Sequence, residues 1–373
     1  MDPATPTAAG NKSVVVVLGT RPEIIKLGHI IRLLGSAASI VHTGQHFDTG
    51  LSQVFLEAFG LPAPDAVLGV GGARRGIQIG RIVEKLDSFL RTNSPDAIVV
   101  QGDTNSAVAG ALAANACDIP LVHVESGLRS FDRRMPEEHN RVVADHLADL
   151  CCAPTEVNRS NLRDEGIPED RIVVTGNTIV EAVESLLPGP DRRAALLVQH
   201  KVEQDRFVVS TFHRPENVDD PVTLRIIIDQ LAHIPVPVVF PVHPRTAARI
   251  QDDVGLREAA EQLLMVEPLD YEAFLGLAAE CAMLVTDSGG IQEEASILKR
   301  PVLVVRRSTE RPEVLGTFAT RVEPGPQITE ITTNWLAALP DLHLRLATIP
   351  SPYGDGTASS RIVAAIPRLT KGA

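Results

Sequence analysis

Cysteine is scarce in this chain. There are four in 373 residues, Cys117, Cys151, Cys152 and Cys281, and no two form a C-x-x-C pair. That argues against a disulfide framework and suits a reducing compartment with buried, inert thiols. Long apolar runs are missing as well, and none approaches the roughly 20 residues of a membrane span. The opening stretch MDPATPTAAGNK has no apolar core of the signal-peptide kind and reads as a disordered tail. Basic residues are outnumbered, 35 Lys and Arg against 47 Asp and Glu, for a formal net charge of −12. Nucleic acid and anionic membrane are therefore poor partners, while a small phosphate-bearing ligand remains open to local arginines. The expectation is a soluble, cytoplasmic protein.

The signatures of several enzyme classes are also absent. No G-x-x-x-x-G-K-[ST] occurs and no convincing G-x-G-x-x-G follows the first strand, so the P-loop and dinucleotide readings lose support. No G-x-S-x-G elbow supports a serine hydrolase. Neither H-E-x-x-H nor a cysteine–histidine zinc pattern is present. His139 and His146 share a helix seven positions apart, about 10 Å of rise, too far for one ion without other ligands. No metal and no cofactor is expected.

What is present is alternation. A 44% hydrophobic chain of this length exceeds one ordinary core, so two domains are expected. SVVVVLGT, ASIVHTG, DAIVVQGD, IPLVHVES, DLCCAPTE and RIVVTGN read as buried strands, separated by helical segments such as PEIIKLGHIIRLLG and SAVAGALAANACD. A second series, FVVSTFH, VPVVFPVHP, LLMVEPL, CAMLVTD and RPVLVVRR, follows the proline-rich SLLPGPDRR. The pattern predicts α/β architecture with two parallel, doubly wound sheets. Domains are expected over 12–187 and 188–352, with a helix in 353–373 packing back on the first.

Ligands of open α/β sheets bind beyond the carboxyl ends of strands, and the chemically able residues gather there. TDSGGIQEE places Ser288, Gly289 and Gly290 at a helix start, where N–H groups and the helix dipole favour an anion. Glu294 lies one turn on, positioned for sugar hydroxyls. GTRPEIIK puts Arg21 after the first strand and Lys26 one turn beyond Pro22, two cations for a diphosphate. TERPE repeats the pattern with Arg311. Asp103 in QGDT and Glu125 in HVES end consecutive strands, and Glu137 follows Pro136 at a helix start. Three converging carboxylates can divide acid and base duties; singly, each also reads as a cap or a partner of Arg129, Arg133 or Arg141. His213 in STFHRPEN is placed to protonate a departing phosphate or to bond backbone groups. His243 in PVHP stands similarly, where a structural corner is an equal reading.

Together these motifs resemble the non-hydrolysing UDP-N-acetylglucosamine 2-epimerases. GTRPE, TGQH, QGDTNS, HVESGLRS, PEEHNR, GNT, HRPEN, VHPRT, TDSGGIQEE and TERPE appear in that family's order between residues 19 and 313. The resemblance implies two Rossmann-like domains of GT-B type with the active site in the inter-domain cleft, commonly as a homodimer. It also implies elimination of UDP to a 2-acetamidoglucal and re-addition with the opposite C2 configuration, with no nicotinamide. On the resemblance, Asp103, Glu125 and Glu137 carry acid–base roles, and His213 assists departure of the diphosphate. Arg21 and Lys26 stabilise its charge, Ser288, Gly289 and Gly290 bind phosphate oxygens, Glu294 takes the ribose and Phe274 lies beside the uracil. His243 and Arg311 complete the substrate-binding set.

The chain departs from the family pattern at Ser126, where alanine is usual, and at Glu181, where aspartate is common. Phe47 and Asp48 replace polar residues found in relatives regulated by a second UDP-sugar, so such activation is not expected. Two rival enzyme classes share part of the pattern. A hydrolysing 2-epimerase would release N-acetylmannosamine and UDP. A GT-B glycosyltransferase would share TDSGG and Glu294 without needing Asp103, Glu125 and Glu137 together.

Overall fold

The structure is a computed structural model and describes residues 14–45, 56–57 and 59–370. Phe47 and Asp48 lie outside the described residues. The chain separates into two compact units, Met1–Ala182 with Tyr353–Ala373, and Val183–Pro352. The division falls within the helix Ile179–Leu186.

The first unit is built on β1 (Val14–Leu18), β2 (Ala38–His42), β3 (Ala66–Val67), β4 (Ala97–Gln101), β5 (Leu121–Val124), β6 (Leu150–Ala153) and β7 (Ile172–Val174). They pair in parallel in the order β3-β2-β1-β4-β5-β6-β7. A parallel sheet with helices on both faces must bury both sides of its strands, which explains the unbroken VVVVL of β1 and AIVVQ of β4. The helix Asn105–Ala116 is rich in alanine because it lies close to the sheet: a Cβ on Gly110 would stand 2.7 Å from Val100 Cγ1. Topology reverses between β1 and β4, and the turns leaving those strands carry Arg21 and Asp103.

The second unit repeats the plan with β8 (Val208–Thr211), β9 (Val238–Pro241), β10 (Leu264–Val266), β11 (Met283–Thr286), β12 (Val302–Val305) and β13 (Ala319–Val322). Their order is β10-β9-β8-β11-β12-β13, again parallel. Phe212, Phe240, Ile227, Leu231, Met283 and Val305 belong to its core. Two strands escape the sequence pattern. β3 is two residues long, and β13, Ala-Thr-Arg-Val on the sheet edge, is only half buried.

The C-terminal segment completes the first unit. Asn177 N–H donates to Tyr353 O at 2.8 Å, and the helix Ala358–Ala365 packs on the helix Arg21–Leu34. Glu181 accepts from Ser359 N–H at 2.9 Å and from the Ser359 hydroxyl. Glu181 thus anchors the returning chain. Among the described residues, no helix is long and apolar enough to cross a membrane.

Candidate active site

In the first unit, two carboxylates leave adjacent strands, and each is held by a cation. Glu125 follows β5 with φ 66°, a left-handed backbone that is uncommon for a residue with a side chain. Lys26 Nζ lies 2.5 Å from Glu125 Oε2, and Gln101 Nε2 donates to the same oxygen at 2.7 Å. Both Lys26 and Glu125 are buried. Lys26, read from the sequence as a diphosphate contact, is therefore also the residue that holds Glu125. Asp103 follows β4 and is bound by Arg141, whose other nitrogen donates to Glu138 Oε2 at 2.7 Å. Asn140 Nδ2 donates to Asp103 O at 2.9 Å. Arg75 in turn donates to Asn140 Oδ1 at 2.5 Å and to Pro136 O at 3.3 Å.

The paired acids of the sequence PEE part company. Glu138 is buried and accepts from Ser130 N–H at 3.0 Å, the Ser130 hydroxyl at 2.8 Å and Phe131 N–H at 2.8 Å, so it shapes the preceding loop. Glu137 stands exposed in the first turn of the helix Pro136–Leu147, where the positive end of the dipole steadies its charge.

Behind this pair runs a buried polar chain that strand-end reasoning did not reveal. His123 Nδ1 lies 2.7 Å from Asp145 Oδ1 and its Nε2 lies 2.8 Å from Gly102 O, next to Asp103. Asp145 also meets Arg129 Nη1 at 2.7 Å, and Arg129 Nε donates to Glu165 at 2.7 Å. Burial works against the Asp145 charge, yet His123 and Arg129 outweigh it and hold the carboxyl below its usual range. Glu23 was also missed, although GTRPE contains it. It is fully buried, and burial pushes its carboxyl up from 4.5 to about 7.

In the second unit, the helix Gly289–Leu298 starts directly after β11 with Ser288 as an extended N-cap. Ser288 N–H donates to Thr286 Oγ1 at 3.0 Å, so it is spent inside the protein. Gly289 and Gly290 lie in the first turn of this helix, where backbone N–H groups have no intrahelical partner. Glu294, one turn on, accepts from Tyr271 Oη at 2.8 Å. Phe274 is buried in the helix Tyr271–Glu280. Arg311 Nε lies 2.5 Å from Glu293 Oε1, and the neighbouring Glu310 is bound by Arg306 Nη2 at 2.7 Å.

His213 follows β8, and its surroundings come from Asp287 at the end of β11. The Asp287 carboxylate accepts His213 N–H at 3.2 Å and Arg214 N–H at 2.9 Å, and it lies 3.3 Å from His213 Nδ1. The His213 side chain remains 44% exposed. Desolvation by its surroundings lowers the imidazole pKa, Asp287 opposes that, and Arg214 and Arg306 reinforce it. The His243 ring stands 6.2 Å from that of His213. His139 and His146 bond backbone carbonyls, of Arg133 and Val142.

The family model described as UDP-N-acetylglucosamine 2-epimerase matches residues 35–367. A UDP-N-acetylglucosamine 2-epimerase of Methanocaldococcus jannaschii is 38% identical over 361 residues, covering 93% of this chain and 97% of its own. A UDP-2,3-diacetamido-2,3-dideoxy-D-glucuronate 2-epimerase of Pseudomonas aeruginosa is 34% identical over 365 residues, covering 95% and 99%. The solved structure of the M. jannaschii UDP-GlcNAc 2-epimerase in complex with UDP-GlcNAc and UDP matches with a TM-score of 0.82 at 37% identity, covering 95% of this chain and 99% of that one. The two parallel sheets agree with these matches: the chain belongs to the UDP-N-acetylglucosamine 2-epimerase family.

Proposed function

We propose that the chain interconverts UDP-N-acetylglucosamine and UDP-N-acetylmannosamine without hydrolysis. The single observation that carries the epimerisation is the pair Asp103 and Glu125, which leave adjacent strands and are bound by Arg141 and Lys26; that UDP re-adds in place of water rests on the family resemblance. The C2 proton of such a sugar has no neighbouring carbonyl to acidify it. Cleavage of the C1–O bond to UDP places positive character on C1, and a carboxylate can then take the C2 proton to give the 2-acetamidoglucal. UDP returns its oxygen to C1 while a carboxylic acid delivers a proton to the other face of C2. Asp103, Glu125 and Glu137 are the proposed acid–base groups. Arg21 and Lys26 counter the charge of the leaving diphosphate. His213, with Asp287 beside it, assists that departure. The helix start at Ser288, Gly289 and Gly290 receives phosphate oxygens, with Glu294 on the ribose, Phe274 beside the uracil, and His243 and Arg311 in the substrate-binding set.

Incubation with UDP-N-acetylglucosamine in deuterated water, followed by proton NMR, tests this reading. UDP-N-acetylmannosamine carrying deuterium at C2 is the expected product. Free N-acetylmannosamine with stoichiometric UDP would move the chain to the hydrolysing class. The Pseudomonas relative favours a second substrate, a 2,3-diacetamido uronate, which belongs in the same assay.

A further inference from the structure

Glu23 is fully buried and has no part in the roles proposed above. Glu23 lies two residues after Arg21 and three before Lys26, in the first turn of the helix Arg21–Leu34. Its Oε2 accepts Gly19 N–H at 2.9 Å, and its Oε1 accepts the Thr104 hydroxyl at 2.6 Å. Thr104 follows Asp103, and its hydroxyl oxygen accepts Ala107 N–H at 3.0 Å as the cap of the helix Asn105–Ala116. Glu23 therefore bridges the turns that leave β1 and β4, neighbours in the sheet. An acid in the first turn that reaches back to the backbone before it is a helix cap, a task glutamine performs equally well. The bond across to Thr104 has no part in capping Glu23's own helix. It fixes one turn against the other.

We propose that Glu23 is a positioning residue for the epimerase reaction, its carboxylate accepting from both turns at once so that Arg21, Lys26 and Asp103 are presented together. The inference rests on the function proposed above. Ionised, the carboxylate offers one oxygen to Gly19 N–H and the other to the Thr104 hydroxyl. Protonated on Oε1, it donates instead to the remaining lone pair of the Thr104 hydroxyl, so the link reverses and the Thr104 hydrogen must turn to another acceptor. The charged groups on its own helix nearby are Arg21 and Lys26, and those after the neighbouring strands are Glu125, paired with Lys26, and Asp103, paired with Arg141; the Glu23 shift comes from burial and hydrogen bonds and from none of these charges. His42 ends the neighbouring β2, and the helix Asn105–Ala116 carries no charge. Burial raises the Glu23 carboxyl to about 7, against hydrogen bonds from Thr104, Thr20 and Gly19. The bridge thus changes its donor across neutral pH.

The test compares wild type with Glu23→Gln and Glu23→Asp for epimerisation and C2 deuterium exchange across the neutral range. With Glu23→Gln, kcat above the Glu23 pKa should fall about tenfold to a hundredfold, the loss that small misplacement of a site produces, with KM nearly unchanged. The acid limb that wild type shows near the Glu23 pKa should vanish with glutamine and return in part with aspartate. Thermal melting should show the glutamine variant folded. Wild-type kcat and an unaltered acid limb in Glu23→Gln would overturn the inference and leave Glu23 as a cap. Wild type that neither exchanges nor epimerises would overturn the proposed function, and this inference with it.

Discussion

Lys26 and Glu125 bury opposite charges 2.5 Å apart, with Gln101 as a further donor. Removing one partner of a buried pair costs about 3–5 kcal/mol, because the remaining charge keeps its desolvation penalty. Lys26→Met should destabilise the first unit by that order in urea unfolding. Lys26→Met with Glu125→Gln should recover much of the loss and no epimerase activity. Equal stability of the single variant and wild type would show that the pair adds nothing. Glu23 has the opposite sign. Its folded pKa, about 7, lies above the unfolded 4.5, so the native chain holds the extra proton between those values. Stability therefore falls as pH rises through that window, by about 3 kcal/mol in total, and is constant above it. Melting curves of wild type and Glu23→Gln should diverge from pH 4.5 to 7 in favour of the variant; parallel curves would refute the shift. Asp103, Glu125 and Lys26 were legible because a strand end or a helical turn announces them. Glu23, His123 and Asp287 were not, because each takes its role from a partner remote in sequence. Thr104, for example, lies 81 positions from Glu23.

The strands show where the legible part of the fold stops. β1, β4 and β12 are continuous β-branched or aliphatic runs because both faces are covered, and such runs are read without the structure. β3 and β13 sit on sheet edges, where half burial leaves little hydrophobic signal. The helix start after β11 was visible as SGG, but the use of Ser288 N–H by Thr286 was not, since a side chain of the preceding strand decides it. The two glycines also differ. A Cβ on Gly289 would come 2.4 Å from Glu310 Oε1, whereas Gly290 faces open space. Glu310 cannot easily step aside, because Arg306 grips it and Arg214 and Arg311 stand beside it. Gly289→Ala should therefore cost about 1–3 kcal/mol, as overpacking does, and weaken UDP binding. Gly290→Ala should melt at or above the wild-type temperature, since alanine is the better helix former by up to about 1 kcal/mol. Equal melting of the two variants would refute the close approach.

The molecule as a whole takes its first unit from both ends of the sequence, with Val183–Pro352 inserted between them. Residues 353–370 are therefore part of one core: Tyr353, Ala358, Ser359, Ile362, Ala365 and Ile366 are all buried. Each large apolar side chain among them contributes about 1.5–3 kcal/mol by burial. Their sum rivals the whole stability of a domain, about 5–15 kcal/mol. The hydrogen bonds from Ser359 to Glu181 and from Asn177 to Tyr353 would be lost with them. A chain ending at Pro352 should keep the second unit's melting transition and lose that of the first, or show it far lower. Glu181→Ala should lower the first transition only modestly, because it removes the two bonds from Ser359 and leaves Ile362 and Tyr353 in place. The second sheet draws every strand from 208–322 and has no share in the segment, so its transition serves as the internal reference. Calorimetry that resolves two transitions decides the matter. An unchanged pair after truncation would mean that burial of 353–370 adds nothing, and that the first sheet is stable on strands β1 to β7 and their own helices.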